Sequence, residues 1–341
     1  MVDKALTVVV LRDYRPGHFN QSEGVISALQ KFCDVEIVYF DIRRKPWIWA
    51  SLLRWFTVKN LLSKSILLKI AGLRLSEVQE LKSRKPDMII SAGGETLVLN
   101  LLISRLNSSL NIFSGSLRGI DSRQFSAVLH LDPKLKSKEN YIIGLKPSTV
   151  ERIERPLRRF DSRQYCLLVG GPTRYQPSTP DQWQSLIDSL SSSSKSWDIV
   201  TSRRTPNNVT ELLSNLAGSS SNITLYDFRD TGSGVASDII QKSDAVVVTE
   251  DSTSMISEGV AAGLPVVSLS VDGGKKSSDE AYIDLMRSRN WYRTIDMVSA
   301  TEKDILEELE LCTPTTVSHL DILADRLFKQ IPELKRFQRN E

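Results

Sequence analysis

Cysteine is scarce in this sequence, with three residues among 341. Cys33, Cys166 and Cys312 lie far apart, so they form neither the spacing of a zinc site nor an even set for disulfides. Cys33 and Cys166 stand in apolar runs and are predicted to be small core residues. A chain of this kind is expected in a reducing compartment.

Long apolar runs and an excess of one charge are also missing. No run of about 18 uncharged apolar residues is present to span a bilayer. The first apolar segment, residues 5–11, is too short for the core of a signal peptide. We therefore expect a soluble protein, or one that lies on a membrane surface. The net charge of +3 predicts no strong overall attraction to nucleic acid.

The composition that remains, 40% hydrophobic and 25% charged, is that of a folded protein, and the length suits two domains of roughly 150 residues. Continuous apolar runs predict strands that are buried on both faces, as in parallel sheets covered by helices. These runs are residues 5–11, 35–40, 87–91, 111–114 and 127–131 in the first half, and 165–169, 198–201, 223–226, 245–249 and 266–269 in the second.

Helix starts between these runs complete an alternating βα pattern. Thr179-Pro180-Asp181-Gln182 has a capping threonine, proline at the first helical position and glutamine three residues after the cap. Thr205-Pro206 and Ser76-Glu77-Val78-Gln79 are interpreted in the same way. The pattern occurs twice, which is typical of two doubly wound domains.

The predicted break between the domains lies at residues 148–163, which are crowded with charge, contain Pro156 and lack a strand pattern. The predicted units are an N-terminal Rossmann-like domain at 1–147 and a C-terminal Rossmann-like domain at 164–315. The pattern also predicts a final helix within 316–341, which can pack against the first domain.

The loop after the first strand combines a Pro16-Gly17 turn and an isolated histidine, His18, ahead of a helix predicted to begin near Asn20. A histidine in this place can take a proton from an acceptor hydroxyl, because an imidazole titrates near neutral pH. The alternative is a polar loop whose histidine caps the helix. Residue types alone leave both interpretations open.

Paired glycines, Gly93-Gly94, follow the strand at 87–91 and precede Glu95. Glycine lets the backbone approach a ligand or another helix closely. Tight packing between strand and helix explains the pair equally well.

Two loops of the second half offer groups for an anion. The turn Gly170-Gly171-Pro172-Thr173 follows the strand at 165–169, and exposed N–H groups beside a hydroxyl suit phosphate. Ser202-Arg203-Arg204-Thr205 follows the next strand and places two guanidinium groups beside hydroxyls at a helix start. A solvated basic turn is the alternative for this second loop.

The segment at 246–267 gives the strongest indication of function. A buried strand leads into a hydroxyl-rich stretch and a short helix, which is closed by Gly263 and Pro265. Free N–H groups at the helix start suit a diphosphate, and a carboxylate further along can accept both hydroxyls of a ribose. The predicted nucleotide-binding residues of this segment are Thr249, Glu250, Asp251, Ser252, Ser254, Met255, Ser257 and Glu258.

Together these motifs resemble the elongated-mitochondria family, also called the mitochondrial fission ELM family. Residues 170–173, 202–206 and 248–258 carry the resemblance, and the loop at 15–21 is similar to the Arg-Pro-Gly-His-x-Asn-Gln loop of bacterial members. The segment around Ser257-Glu258 also resembles the donor-sugar loop of GT-B glycosyltransferases such as MurG. This resemblance implies an α/β fold of GT-B architecture, with two Rossmann-like doubly wound domains facing a central cleft.

The resemblance to GT-B enzymes also implies a chemistry. It implies a metal-independent glycosyltransferase without a cofactor, in which dipoles and arginines stabilise the departing nucleotide of a UDP- or CMP-linked sugar. The sequence has no compact Asp-x-Asp motif, which agrees with an enzyme that needs no metal ion. His18 is the expected base, with Asp13 and Glu95 as substitutes. The expected acceptor loops contain Arg15, Gly17, Asn20, Gln21, Gly93 and Gly94.

Residues 43–75 mix tryptophans and leucines with cations and contain no acidic residue. Such a segment favours binding to an anionic membrane, although packing onto the domain's own sheet is the alternative. The predicted partners are a nucleotide sugar, a lipid-linked or envelope glycan acceptor of the lipopolysaccharide type, and a membrane surface, but no nucleic acid. The predicted location is the inner face of the cytoplasmic membrane. A GT-B nucleotide-sugar 2-epimerase and a non-catalytic membrane scaffold remain the other candidate functions.

Overall fold

The computed structural model describes residues 5–42, 47–59, 64–158, 162–232, 234–274 and 279–339. The chain forms two compact units, of which the first comprises Met1–Thr149 and His319–Glu341 and the second comprises Val150–Ser318.

The first unit contains six strands and six helices among these residues. The strands are β1 (Leu6–Arg12), β2 (Val35–Asp41), β3 (Met88–Ala92), β4 (Leu110–Ser114), β5 (Ala127–His130) and β6 (Tyr141–Ile143). The helices are α1 (Pro16–Gln30), α2 (Trp47–Val58), α3 (Lys64–Ile70), α4 (Leu75–Arg84), α5 (Leu97–Asn107) and, near the end of the chain, α13 (His319–Gln330).

The second unit contains six further strands and seven helices among the described residues. The strands are β7 (Gln164–Val169), β8 (Ser196–Thr201), β9 (Ile223–Tyr226), β10 (Ala245–Thr249), β11 (Val266–Ser270) and β12 (Arg293–Asp296). The helices are α6 (Gln184–Ser191), α7 (Asn207–Ser219), α8 (Phe228–Thr231), α9 (Val235–Lys242), α10 (Thr253–Ala261), α11 (Glu280–Ser288) and α12 (Glu302–Glu310).

All strands of the first unit pair in parallel, in the order β2-β1-β3-β4-β5-β6. Successive side chains of a strand point to opposite faces of the sheet. In β1, Val8 and Val10 therefore enter the core shared with α1 and α13, whereas Val9 and Leu11 enter the core shared with α5. A strand with one exposed face alternates apolar and polar residues. Because both faces of β1 are buried, this alternation is absent and the strand is continuously apolar.

The second sheet is also parallel and has the order β12-β11-β10-β7-β8-β9. Numbered from the first strand of the unit, this is the Rossmann order, in which the chain returns to the centre after three strands and continues on the other side of β7. One face of this sheet packs against α6, α7 and α12. The two sheets confirm the predicted α/β doubly wound class.

The predicted strands are present, with small differences at their ends, but the sequence does not indicate β6 or β12. Each of these strands is short and pairs with one neighbour at the edge of its sheet. An edge strand is only partly buried, so β12, with the sequence Arg-Thr-Ile-Asp, needs no continuous apolar run.

Three predicted helix starts differ from the structure. Helix α4 begins at Leu75, with Arg74 rather than Ser76 in the capping position, and the Arg74 N–H donates to Oε2 of Glu77 at 2.6 Å. Helix α1 begins at Pro16 rather than near Asn20, because proline suits the first turn of a helix, where no backbone donor is needed. Helix α7 begins at Asn207, with Pro206 rather than Thr205 in the capping position. The capping box at Thr179 is confirmed, although its first turn is a 3₁₀ turn over Pro180–Trp183.

Ion pairs fix the beginning of the second unit, and the chain leaves the unit at its end through α13. Arg155 and Arg158 both bind the buried carboxylate of Asp244, just before β10, at N–O distances of 2.7 and 2.8 Å. Burial would raise the pKa of Asp244, but hydrogen bonds from the Gln164 N–H and both arginines outweigh it, so the pKa lies below its ordinary value. The chain then returns to the first unit, where α13 packs against α1.

Candidate functional site

In doubly wound sheets, loops at the carboxyl ends of the strands form a crevice where the strand order reverses direction. In the first unit this point lies between the neighbouring strands β1 and β3. The loop after β1 contains Asp13 and leads into α1, and the loop after β3 begins with Gly93. The sheet therefore brings the two loops singled out by the sequence to one place.

His18 lies on the first turn of α1 and is paired with Asp13. The Nδ1 atom of His18 is 2.6 Å from Oδ2 of Asp13, whose side chain is fully buried. The other carboxylate oxygen, Oδ1, accepts the backbone N–H of Arg15 at 2.9 Å. With Nδ1–H directed at the carboxylate, Nε2 is the ring atom that can accept a proton. The imidazole is 23% exposed, so it is held in place and still accessible.

Gly93 and Gly94 lie directly beneath two side chains. A Cβ added to Gly93 would be 2.1 Å from Nδ1 of His18, and one added to Gly94 would be 2.3 Å from Cζ of Arg118. Gly93 also has a left-handed backbone (φ +82°), which favours glycine. The glycine pair therefore provides the space that His18 and Arg118 occupy. Arg118 was not among the predicted site residues, since one arginine in the turn after β4 carries no recognisable pattern.

The other candidates of the first unit form a polar rim around this pair. Glu95 accepts a hydrogen bond from the hydroxyl of Tyr14 at 2.9 Å, and Arg15 donates to the same hydroxyl oxygen at 3.3 Å. Gln21 donates to the carbonyl of Gly17 and accepts from the hydroxyl of Ser114. Asn20 is exposed, so α1 directs it to solvent.

In the second unit the corresponding reversal lies between β7 and β10. The turn after β7 and the loop after β10 are joined by side chains. The Gly170 N–H donates to Oγ1 of Thr249 at 2.7 Å, and the Gly171 N–H donates to Oδ2 of Asp251 at 3.2 Å. The two N–H groups that were predicted to hold phosphate thus donate to the protein's own side chains in this structure.

The loop after β8 joins the same arrangement. Arg204 forms an ion pair with Asp251 at 2.6 Å, in which Asp251 is 3% exposed and Arg204 is 40% exposed. Thr205 donates to the carbonyls of Val169 and Gly170, and the carbonyl of Arg204 lies where a side chain on Gly171 would have to be. Glycine at position 171 therefore lets the two loops touch, and Asp251 orients the guanidinium of Arg204.

Two buried carboxylates follow β10. Burial raises the pKa of Asp251, against the lowering effect of Arg204 and of hydrogen bonds from Thr249 and Gly171. Burial also raises the pKa of Glu250, although Arg287 opposes this effect. Arg287 binds Glu250 directly, and Gln176 donates to it at 3.4 Å. Sequence analysis missed Gln176 and Arg287, which come from distant parts of the chain.

The remaining predicted donor residues lie on or beside α10 and the neighbouring loops. Ser252 occupies the position before the helix and makes no side-chain cap. The hydroxyl of Ser257 is buried between the Thr253 carbonyl and the Tyr282 hydroxyl, each at 2.6 Å. Glu258 follows it in the helix and is 6% exposed. Ser254 and Met255 are half-buried near the start of α10, and Arg203 and Pro172 are exposed. The hydroxyl oxygen of Thr173 accepts the backbone N–H groups of Tyr175 and Gln176. The hydroxyl oxygen of Ser202 accepts the backbone N–H of Arg204.

Two features are absent from the described part of the chain. No group of three or more histidine, cysteine, aspartate or glutamate side chains is placed to hold a metal ion there. Over the same residues, no helix combines the length and apolar character needed to cross a bilayer. All three cysteines are free, and Cys33 and Cys166 are buried as predicted.

Comparison with known proteins identifies both a family and a fold. The sequence model of the family described as Mitochondrial fission ELM1 matches residues 145–321, just over half of the chain. No curated protein matches the sequence.

Several solved structures share the fold over nearly the whole chain. S. aureus MnaA in complex with UDP has a TM-score of 0.58 and 11% identity, covering 97% of each chain. A UDP-GlcNAc 2-epimerase from Neisseria meningitidis bound to UDP-GlcNAc has a TM-score of 0.57 and 12% identity, covering 96% of this chain and 100% of that one. The ADP-heptose lipopolysaccharide heptosyltransferase II of E. coli has a TM-score of 0.51 and 13% identity, covering 89% and 97%. At these identities the likeness concerns the fold.

Proposed function

Because this chain belongs to the Mitochondrial fission ELM1 family and has the fold of GT-B glycosyltransferases, we propose that it transfers a sugar from a nucleotide-sugar donor to a glycan acceptor. The observation that supports this most strongly is the His18–Asp13 pair at the strand reversal of the first sheet. A buried carboxylate that fixes a partly exposed imidazole is an arrangement for removing a proton from a hydroxyl.

The proposal assigns the donor to the second unit. The loops that meet between β7 and β10 contribute Arg204, which Asp251 orients, and the exposed Arg203 next to it. The start of α10 contributes backbone N–H groups and the positive end of a helix dipole. Arginine and helix N–H groups together suit the diphosphate of a UDP-linked sugar, or the monophosphate of a CMP-linked one. Glu258 is assigned to the ribose, as the resemblance to GT-B enzymes implies.

In the proposed reaction, Nε2 of His18 takes the proton of an acceptor hydroxyl as its oxygen attacks the anomeric carbon. The bond between that carbon and the phosphate oxygen breaks, and the nucleotide leaves with the bonding electron pair. The guanidinium groups and the helix start stabilise the charge that develops on the phosphate. No step in this scheme requires a metal ion or another cofactor.

We further assign the acceptor to an envelope or lipid-linked glycan, because α2 and α3 leave a basic, apolar surface uncovered. Leu53, Leu67 and Leu68 are buried against the first unit's own core, which accounts for one side of these helices. Trp55, Leu52 and Ile66 remain exposed on a segment that also contains Arg54, Lys59 and Lys69. Aromatic and aliphatic side chains among cations suit an anionic bilayer.

Part of the predicted membrane segment lies outside the described residues, namely 43–46 and 60–63, together with the side chains of residues 47–51, 58, 64 and 65. The membrane assignment therefore rests on the exposed side chains of α2 and α3. We propose that this surface holds the protein on the cytoplasmic face of a membrane, next to a lipid-linked acceptor of the lipopolysaccharide type.

Nucleotide binding tests the donor assignment directly. We expect UDP or CMP to raise the melting temperature of the full chain, since a ligand at 100 times its Kd adds about 2.7 kcal/mol of stability. Arg204→Gln should lose most of this shift. Arg289→Gln changes an exposed arginine that follows α11, at the opposite end of the sheet, and should keep it. A wild-type protein that responds to no nucleotide would contradict the proposal.

Flotation with lipid vesicles tests the membrane assignment. We expect the chain to float with vesicles that contain phosphatidylglycerol and to stay behind with pure phosphatidylcholine. Trp55→Ala should weaken flotation, whereas Val317→Ala, which changes an exposed apolar residue of the second unit, should not. Equal behaviour with both kinds of vesicle would refute the membrane surface and leave the donor site untouched.

A further inference from the structure

Arg118 is placed beside the proposed base by the glycine pair that follows β3. Gly93 lies beneath the ring of His18, and the next residue, Gly94, lies beneath the guanidinium of Arg118. A side chain at position 94 would meet Cζ and Nη2 of Arg118 at 2.3 Å. The imidazole of His18 and the guanidinium of Arg118 therefore pack on two consecutive glycines, Gly93 and Gly94, which we call the glycine floor.

The backbone of Arg118 is in a conformation that a side chain makes costly. Its φ is +49°, in the left-handed region, and Gly119 follows at +90°. Glycine or asparagine would adopt this turn at a lower cost than arginine. A strained non-glycine residue beside a candidate catalytic group is better explained by the use of its side chain than by the needs of the turn.

Among the described residues, no carboxylate neutralises the charge of Arg118. Asp13 is occupied by His18 and by the Arg15 N–H, and Glu95 accepts from Tyr14. Across residues 5–339, with the gaps stated above, no carboxylate forms an ion pair with Arg118, and the residue is exposed. A positioned, unpaired guanidinium binds phosphate or carboxylate through two parallel hydrogen bonds.

We propose that Arg118 binds an anionic group of the acceptor, a phosphate or a carboxylate, close to the hydroxyl that His18 deprotonates. This inference rests on the proposed function and adds a substrate class to it: the acceptor is an acidic glycan. The acceptor is favoured over the donor because Arg118 shares the glycine floor with His18, whereas Arg203 and Arg204 serve the donor in the second unit.

The chain has three histidines, so NMR of their side chains can report on this place in the intact protein. Inorganic phosphate is the probe, added at fixed pH and ionic strength, with and without saturating UDP. We expect phosphate to shift the His18 resonances, which His18→Gln identifies, and to do so equally when UDP is bound. Arg118→Gln should weaken this response by about 10-fold, the loss of one charge-assisted contact.

Two variants separate binding from folding. Arg118→Asn suits the left-handed turn, so its melting temperature should equal or exceed that of the wild type while the phosphate response is lost. Arg123→Gln removes an exposed arginine of the same unit that pairs with Asp121, and its phosphate response should be unchanged.

Three results would overturn the inference. They are a His18 signal that ignores phosphate, a full response in Arg118→Gln, and a response that UDP abolishes, which would assign Arg118 to the donor instead. A chain that binds no nucleotide but still shows the Arg118-dependent response would refute the donor assignment and leave the anion site standing.

Discussion

In the first unit, the glycine after a central strand lies under the ring of His18, which stays partly exposed while its carboxylate partner is buried. In the second unit, a glycine pair follows the other strand of the reversal, β7, and lies under Asp251 and the backbone of Arg204. Both pairs stand where the strand order reverses. A glycine pair therefore makes room for a proposed proton acceptor in the first unit and for a contact between two loops in the second. The chemistry of each place depends on the side chain or backbone that packs against the glycines.

The largest expected effect concerns the proton acceptor. His18→Ala should reduce sugar transfer from a labelled donor to envelope glycolipids by about 10²–10⁴-fold, the contribution of a general base. Asp13→Asn should also lower transfer strongly, because an amide no longer fixes the tautomer of the ring. The UDP-induced rise in melting temperature should persist in both variants, since the donor groups lie in the other unit.

His319→Ala provides the control for this experiment, because it removes a histidine at the start of α13 that has no part in the proposed reaction. Normal transfer by His18→Ala would end the assignment of His18 as the base. Loss of UDP binding in the same variant would show that the two units do not divide the work as proposed.

The next effect separates the two glycine pairs. Gly171→Ala puts a Cβ 2.0 Å from the backbone carbonyl oxygen of Arg204, so the chain must move, and we expect a loss of about 1–3 kcal/mol in stability together with weaker nucleotide binding. Gly93→Ala instead puts a Cβ 2.1 Å from Nδ1 of His18, so the ring must leave its position beside Asp13, and it strains a left-handed residue. It should reduce transfer while nucleotide binding persists.

Gly218→Ala is the matched control, because nothing lies within 4 Å of the added Cβ near the end of α7. Its stability should rise slightly, by about 0.5–1 kcal/mol, since alanine is the better helix former. The comparison fails if Gly171→Ala melts like the wild type, or if the two site glycines give identical phenotypes in transfer and binding.

The smallest effect is a difference in pH dependence between two buried carboxylates of the second unit. Asp244 has a lowered pKa, so its stabilising contribution is complete above the ordinary carboxyl pKa and is lost as the pH falls through the lower, folded value. Asp244→Asn should cost about 1.5 kcal/mol at neutral pH, the loss of charge-assisted hydrogen bonds, and almost nothing in strong acid.

Asp251 should show the opposite sign. Its pKa is raised by burial, so its ionisation opposes folding, and stability falls as the pH rises from the ordinary value through the raised one. Asp251→Asn should remove that fall. Urea unfolding across a pH series measures both variants, with exposed Asp230→Asn as the control. Parallel curves for Asp244→Asn and Asp251→Asn would contradict the distinction between them.

Much of the fold is predictable because burial leaves a direct trace in the sequence. A strand covered on both faces must be apolar at every position, so the runs at 165–169 and 245–249 indicate β7 and β10 closely. The edge strands β6 and β12 leave no such trace. The start of α1 was misplaced because the polar residues of its first turn resemble a loop, although Pro16 carried the correct signal.

The candidate site is less predictable, because its contacts join distant parts of the chain. The sequence shows that Gly170 and Thr249 each follow or end a strand, but not that β7 and β10 are neighbours. Only the strand order brings Thr249 to the Gly170 N–H and Asp251 to Gly171. The same holds for Arg118, which reaches Gly94 because β4 pairs with β3.

By itself, the sequence determined the doubly wound class and the loops that carry polar groups, since apolar patterning and helix starts are local properties. The tertiary structure alone decided which of those groups meet. It gave His18 a buried carboxylate and a glycine floor, and it directed the glycine N–H groups of the second unit to side chains. The physical reason is that hydrogen bonds and ion pairs depend on distances in space, and those distances are fixed only when the strands assemble.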